Sequence, residues 1–426
     1  MCSTESPLFT VIMATYGRGR HILPSVRSVI AQDLPDFELL VVGDACPADT
    51  PAALKPLLSD RVRWMNLPAR SRSQSGPNNE GIRIARGQLI AYLGHDDIWE
   101  PGHLSALARV FAEQPDLHFA VSGAVYHLPH GIPGSIVTGL FVDDSAKHVH
   151  FFPPSSFAHR ATVTTAIGPW RSPEATSAAV DCDLLRRAAA ADLRFASTRR
   201  ITVHKFAAGH RYLSYLVQES HEQEAMLAAI GTRSHADRVD MIVARALVGG
   251  TYMSAGYDND DRERPGENWR ANLTRKGLRV PDVQSLAETL VVKQSPSFCA
   301  LDWDDDVRSG LRWSLRSPRP KILVPVTAPV AVRADLEIAH EDPDALVAFP
   351  LLCNGDPVEV LGCTPRALDS RPARAILSFM PKLLADRPSV LELLLPKPLV
   401  PTDHRRGIAI GDMIVTARGG QSAGQP

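Results

Sequence analysis

Three short, almost uninterrupted apolar runs, Phe9 to Ala14, Phe37 to Val42 and Gln88 to Leu93, constrain the N-terminal half of this chain more than anything else in it. Helical patterns lie between and after them, near His21 to Gln32, Asn79 to Arg86 and His103 to Glu113, and Val62 to Met65 reads as a further strand. A strand that is apolar on both faces must be covered on both faces, so strands of this kind alternating with amphipathic helices imply a mostly parallel, doubly wound α/β sheet. Each run ends in polar residues: Thr15-Tyr16-Gly17-Arg18, Gly43-Asp44 and His95-Asp96-Asp97. Ligands of open parallel sheets bind outside the carboxyl ends of the strands, so the three clusters are expected to converge on one crevice.

The rest of the chain has a different texture. At 426 residues it is long enough for two or three domains. Residues 1–215 are expected to form the α/β domain, 216–317 a helical extension or linker, 318–418 an all-β sandwich and 419–426 a frayed tail. Helix candidates are Glu222 to Ile230 and His235 to Leu247, with a polar loop at Tyr257 to Glu267. The sandwich rests on short β-rich runs at Lys321 to Val326, Val330 to Ile338, Ala345 to Leu351, Arg374 to Phe379, Val390 to Leu395 and Ile408 to Thr416.

Charge and cysteine usage exclude other classes. A formal net charge of -1 gives no footprint for a nucleic-acid duplex. No segment supplies the ~18 continuous apolar residues of a membrane span, and the N-terminus has no signal-peptide pattern, so a cytoplasmic location is expected. The 6 cysteines contain no C-x-x-C pair, which fits reduced thiols.

A nucleoside diphosphate needs a carboxylate or amide for the base, polar groups for the ribose and a cation for the phosphates; Asp44, Thr15 and Asp96 are suitable types in suitable places. Two adjacent carboxylates, Asp96 and Asp97, repel each other unless positive charge lies nearby, which points to a metal. Taken singly, an Asp at a strand end is more often an N-cap or turn residue for the next helix than a ligand.

Five blocks, Phe9 to Arg18, Ser28 to Gln32, Phe37 to Asp44, Asn79-Glu80-Gly81 with Ala85-Arg86-Gly87, and Leu93 to Asp97, resemble in order and spacing those of the family 2 glycosyltransferases with the GT-A fold. The resemblance covers residues 7–215. It implies that Asp44 binds the nucleobase, that Ala14, Thr15 and Tyr16 contact base and ribose, and that Arg18, Asn79, His95 and Asp97 lie at the nucleotide-sugar. Asp96 matches the last acidic residue of the D-x-D motif, which ligates Mn2+ or Mg2+; Gly94 stands where the first Asp is usual and Ala14 where Pro is usual.

The resemblance also implies a general base near the head of a helix in Ile167 to Arg187, with Asp181 as the base; Asp183, or a capping role for either, is the alternative. Trp170 is a candidate for stacking on acceptor sugar or for the core. The basic cluster Thr202-Val203-His204-Lys205 and Gly209-His210-Arg211 suggests a contact to metal or pyrophosphate, with His204 preferred as a metal ligand and Lys or Arg suited to phosphate. Ser155, Ser156 and His159 suggest an acceptor-facing loop.

The implied activity is an inverting, metal-dependent transfer of sugar from a nucleotide-sugar, UDP-sugar favoured, to a glycan or lipid-linked glycan acceptor, in bacterial surface polysaccharide or glycoconjugate assembly. Peripheral association with the inner face of the membrane and homo-oligomerisation stay open. A catalytically silent glycan-binding or scaffold protein and a nucleotidyltransferase are the competing readings.

Overall fold

A computed structural model describes residues 6–127, 135–206, 214–215, 218–252, 284–293, 303, 311–314, 319–328, 331–367, 369–385, 388–396 and 407–417. The loop Tyr257 to Glu267, Gly209-His210-Arg211, Pro401 to Arg406 and the C-terminal tail lie outside the described residues. The chain divides into two compact units, one holding most of residues 1–271 and the other residues 272–426, with residues 129–132 and 208–217 grouped with the latter.

The first unit is built on a nine-stranded sheet in the order β3-β2-β1-β4-β8-β6-β9-β5, with β7 beside β6. Its strands are β1 Phe9–Thr15, β2 Phe37–Gly43, β3 Val62–Asn66, β4 Leu89–Tyr92, β5 Ile98–Trp99, β6 Phe119–His127, β7 Ser135–Thr138, β8 Phe157–Arg160 and β9 Phe195–Lys205. The helices are α1 Leu23–Ile30, α2 Asp49–Leu54, α3 Ser75–Ile84, α4 His103–Glu113, α5 Val163–Ile167, α6 Val180–Ala190, α7 His221–Ala229 and α8 Arg233–Gly249. Strands β3, β2, β1 and β4 run parallel, and β8 joins β4 and β6 antiparallel.

Two apolar layers explain why the central strands lack polar alternation. Val11, Met13, Leu39 and Val41 face one layer with Val26 and Leu107, whereas Ile12, Leu40, Val42 and Tyr92 face the other with Leu184 and Leu185. Burying a side chain of this size contributes about 1.5–3 kcal/mol. Glu38, buried in β2, is held by Thr10 Oγ1 at 2.7 Å and by the guanidinium groups of Arg63 and Arg86.

Among the described residues the second unit is all-β apart from one short turn of 3-10 helix. Its strands are β10 Gln284–Ser285, β11 Thr289–Val292, β12 Arg312–Trp313, β13 Lys321–Val324, β14 Val326–Thr327, β15 Val332–His340, β16 Leu351–Cys353, β17 Asp356–Pro357, β18 Glu359–Ala367, β19 Ala373–Met380, β20 Ser389–Leu393 and β21 Ala409–Ala417. A six-stranded antiparallel sheet (β11-β21-β15-β19-β18, with β12 on β21) and a four-stranded one (β13-β20-β16-β17) share one core. Leu336, Leu377 and Val415 from the first meet Ile322, Val324 and Leu391 from the second, which makes the unit a sandwich.

Three details differ from the sequence reading. Ala345 to Leu351 is not a strand: Pro343–Ala345 forms a 3-10 turn, and pairing begins only at Leu351. β18 carries no apolar alternation because it is the edge of its sheet with mostly exposed or half-exposed side chains. The stretch 216–317 contributes α7 and α8 to the first unit and β10 to β12 to the second.

Candidate active site

The carboxyl ends of β1, β2 and β4 do meet. The Asp44 backbone N–H donates to the Thr15 carbonyl at 2.8 Å, while Thr15 Oγ1 lies 3.2 Å from His95 Nδ1. Thr15 therefore ties the residue after β2 to the residue before Asp96. Parallel pairing in register, Thr15 opposite Gly43, dictates this convergence.

Asp44 is buried, and its carboxylate organises a loop that the sequence did not reveal. Its Oδ1 accepts from the Ser71 N–H at 2.6 Å and Ser71 Oγ at 2.8 Å, and its Oδ2 from the Arg72 N–H at 2.8 Å. The same loop lays the Arg70 guanidinium over the Tyr16 ring, 3.5 Å from its centroid. Gly17 adopts φ +53°, a turn that L side chains rarely make, and Gln218 donates to its carbonyl from the segment before α7. Arg18 is buried and Ala14 is half-buried at the end of β1.

The acidic pair splits into two roles. Asp97 is fully buried: Oδ2 accepts from Lys205 Nζ at 2.7 Å and Ser155 Oγ at 2.5 Å, and Oδ1 from the Phe206 N–H at 2.9 Å. With no exposed surface, it positions Lys205 rather than facing a ligand. Asp96 is 8% exposed, and its backbone carbonyl accepts from Gln223 Nε2 at 3.1 Å. Its carboxylate makes no hydrogen bond among the described residues. Gly94 has a steric reason: a Cβ there would stand 2.7 Å from Asp97 Oδ2 and 3.2 Å from Asp96 Oδ1.

Lys205 supplies the positive charge that the adjacent carboxylates demand. Burial would lower its pKa, but Asp97, then Asp96 and Asp181, raise it above the ordinary lysine value. Tyr126 is pushed well above the usual phenol range, by burial first and then by the charges of Asp181 and Asp97. Asp96, Asp97, Asp181, Lys205 and Tyr126 thus form one electrostatic neighbourhood. Asp181 lies in the first turn of α6, half-buried, with Oδ1 accepting from the Cys182 N–H at 3.1 Å. Asp183 is committed to Arg187 at 2.9 Å and Arg171 at 3.3 Å.

His204 stands elsewhere than expected. Neighbouring residues of a strand point to opposite faces, and as Lys205 turns to Asp97, His204 Nε2 lies 2.9 Å from Glu100 Oε1 and its Nδ1 3.0 Å from His127 Nε2. Lys205, not His204, is the member of the basic cluster that joins the acidic group.

Asn79 and Trp170 hold each other: Asn79 Nδ2 donates to the Trp170 carbonyl at 2.9 Å and the Trp170 N–H to Asn79 Oδ1 at 3.0 Å. The Trp170 indole is buried and donates to Tyr92 Oη at 3.2 Å, so it is a core residue and not an acceptor platform. The acceptor-loop reading of Ser155, Ser156 and His159 is likewise overturned. All three are buried; Ser156 donates to the Pro153 carbonyl and His159 Nε2 lies 2.8 Å from Tyr92 Oη within the sheet. Burial lowers the His159 pKa to about 4 despite its backbone hydrogen bond with Arg160.

A mixed sheet whose β3-β2-β1-β4 part is parallel and covered by helices, with acidic and basic side chains gathered at its strand ends, is the GT-A type of architecture. Residues 10–129 match the model of Glycosyl transferase family 2, and the β-rich unit lies C-terminal to the matched residues.

Among curated relatives, an uncharacterized glycosyltransferase of Nostoc sp. is 28% identical over 122 residues, 28% of this chain and 36% of that protein. The succinoglycan biosynthesis protein ExoO of Rhizobium meliloti is 38% identical over 99 residues, 23% of this chain and 28% of its own. A GalNAc(5)-diNAcBac-PP-undecaprenol beta-1,3-glucosyltransferase of Campylobacter jejuni is 28% identical over 105 residues, 24% and 34% respectively. The matches span about a third of these relatives' lengths. Among solved structures, S. aureus TarS in complex with UDP-GlcNAc aligns at TM-score 0.41 and 16% identity, covering 55% of this chain and 70% of that one.

Proposed function

We propose that the chain is an inverting glycosyltransferase that moves a sugar from a nucleotide-sugar, a UDP-sugar first among candidates, to an acceptor hydroxyl in bacterial polysaccharide or glycoconjugate assembly. The observation that carries this reading is the convergence of Asp44 and His95 on Thr15 at the strand ends, with Lys205 ion-paired to Asp97 beside Asp96. Asp44 and the 70–72 loop, with Ala14, Thr15, Tyr16 and Arg18, form the nucleoside side of the site, and His95 and Asp96 the diphosphate and sugar side. The family match and relatives named for polysaccharide synthesis and sugar transfer support the assignment.

The donor set suits a hard divalent cation. Asp96 offers a carboxylate with no hydrogen-bonding commitment among the described residues, and the Gly94 position has no room for a second. Mn2+ or Mg2+ held by Asp96 would neutralise charge on the departing diphosphate. Lys205, fixed by Asp97, adds a permanent positive charge on the same side, where preorganised charge stabilises a transition state most effectively. Asp181 accepts the proton of the acceptor hydroxyl as it attacks the anomeric carbon, in one displacement without a covalent enzyme intermediate. Among the described residues no helix is long and apolar enough to cross a membrane; action on a lipid-linked glycan at the inner membrane face is part of this proposal.

The test is a nucleotide-release assay across UDP-, GDP- and dTDP-sugars with oligosaccharide and lipid-linked acceptors, with NMR of the product anomer. Metal-stimulated release with one donor and an inverted product supports the reading. Absence of transfer from every donor, with nucleotide still bound, moves the chain to the silent glycan-binding class.

A further inference from the structure

We propose that Glu100, His204 and His235 form a transition-metal site separate from the Asp96 carboxylate. Glu100 follows β5, His204 lies in β9 and His235 sits in the first turn of α8, so three distant stretches of chain deliver one ligand atom each. Those atoms all lie within 4.8 Å of one another. His204 Nε2 and His235 Nε2 both point at Glu100 Oε1, at 2.9 and 2.6 Å.

The surroundings fit a metal better than a polar core contact. The His204 and His235 side chains are 1% and 7% exposed, while Glu100 keeps 20%, which leaves a path for an ion and for a bound water. Each element is fixed independently of an ion: the Glu100 N–H donates to the Thr202 carbonyl at 2.9 Å, and the Thr232 cap accepts from the His235 N–H at 3.2 Å. His204 is also oriented from behind, its Nδ1 3.0 Å from His127 Nε2, in the way that outer partners fix the ring of a ligating histidine.

Two imidazoles and a carboxylate form a three-ligand set with open positions, and imidazole favours Zn2+, Co2+ or Ni2+ over Mg2+. The ion would pin α8 to the β5–β9 pair, the pair whose flanking residues are Asp97 and Lys205. Because neither Asp96 nor Asp181 is a ligand, the site stands or falls apart from the transferase reading.

The experiment uses the full chain stripped with EDTA, titrated with ZnCl2 by calorimetry and with CoCl2 by visible absorption. One equivalent should bind, with the d–d bands of a nitrogen-containing cobalt site, and Zn2+ should raise Tm. His235→Ala and Glu100→Gln should each abolish the cobalt bands and the Tm increase. His127→Ala should weaken binding about tenfold. Asp96→Asn should leave the titration unchanged. Circular dichroism of each metal-free variant separates lost ligands from lost folding. Absence of saturable binding, binding that survives both ligand substitutions, or loss of binding in Asp96→Asn would overturn the proposal.

Discussion

Lys205 Nζ lies 2.7 Å from Asp97 Oδ2, and this ion pair fixes the electrostatics of the strand ends. It gives a reason for the neighbouring carboxylates of Asp96 and Asp97 to be tolerated side by side, and it holds a cation within electrostatic reach of Asp96 and Asp181.

Removing the ammonium leaves the buried Asp97 carboxylate without its counter-charge. Lys205→Met is expected to destabilise the protein by about 3 kcal/mol, read by urea denaturation, and the double variant with Asp97→Asn should recover a large part of that loss. Equal stability of Lys205→Met and the parent would remove the pair from the account.

Restoring the usual first carboxylate should not help. In Gly94→Asp the new Cβ would meet Asp97 Oδ2 at 2.7 Å, so the variant is expected to lose stability without tighter Mn2+ binding. Tighter Mn2+ binding with an unchanged melting temperature would show that the loop has slack the geometry denies.

Asp181 and Asp183 separate base from scaffold. Asp181→Asn should retain nucleotide affinity and lower the transfer rate by at least ~100-fold. Asp183→Asn breaks the Arg187 pair and should reduce stability while leaving the rate within a few-fold. Reversed outcomes would exchange the two assignments.

The buried His159 makes stability depend on pH. Its folded pKa, about 4, lies below its unfolded value of 6.5, so between those values the unfolded chain binds more protons than the folded one. The stability it contributes is present above pH 6.5 and is lost as pH falls toward 4, by roughly 3 kcal/mol at about 1.4 kcal/mol per pKa unit. Urea unfolding at several pH values should show a shallower slope for His159→Gln across this window. An unchanged slope would mean that another group, such as the equally buried His103, sets the dependence.

The three strand ends were legible because parallel strands buried on both faces write themselves as apolar runs, and register then forces Thr15, Asp44 and His95 together. Lys205 was harder to choose over His204, since a one-residue difference in a strand decides which face a side chain takes. Ser71 and Arg72 gave no signal; a polar loop binding a carboxylate through backbone N–H groups has no sequence pattern. Glu100 and His235 lie too far apart in the chain for spacing to pair them. Ser155 and His159 read as an exposed loop because Pro153 and Pro154 look like a break, whereas the chain enters β8 directly after one turn of 3-10 helix.

Calorimetric titration of UDP in the presence and absence of Mn2+, on the parent chain, Asp44→Ala and Asp96→Asn, tests most directly whether these strand ends form a nucleotide-sugar site. Saturable UDP binding that tightens with Mn2+, is lost in Asp44→Ala and keeps no Mn2+ dependence in Asp96→Asn is the expected result. Binding of equal strength in all three proteins, with or without the ion, would contradict it.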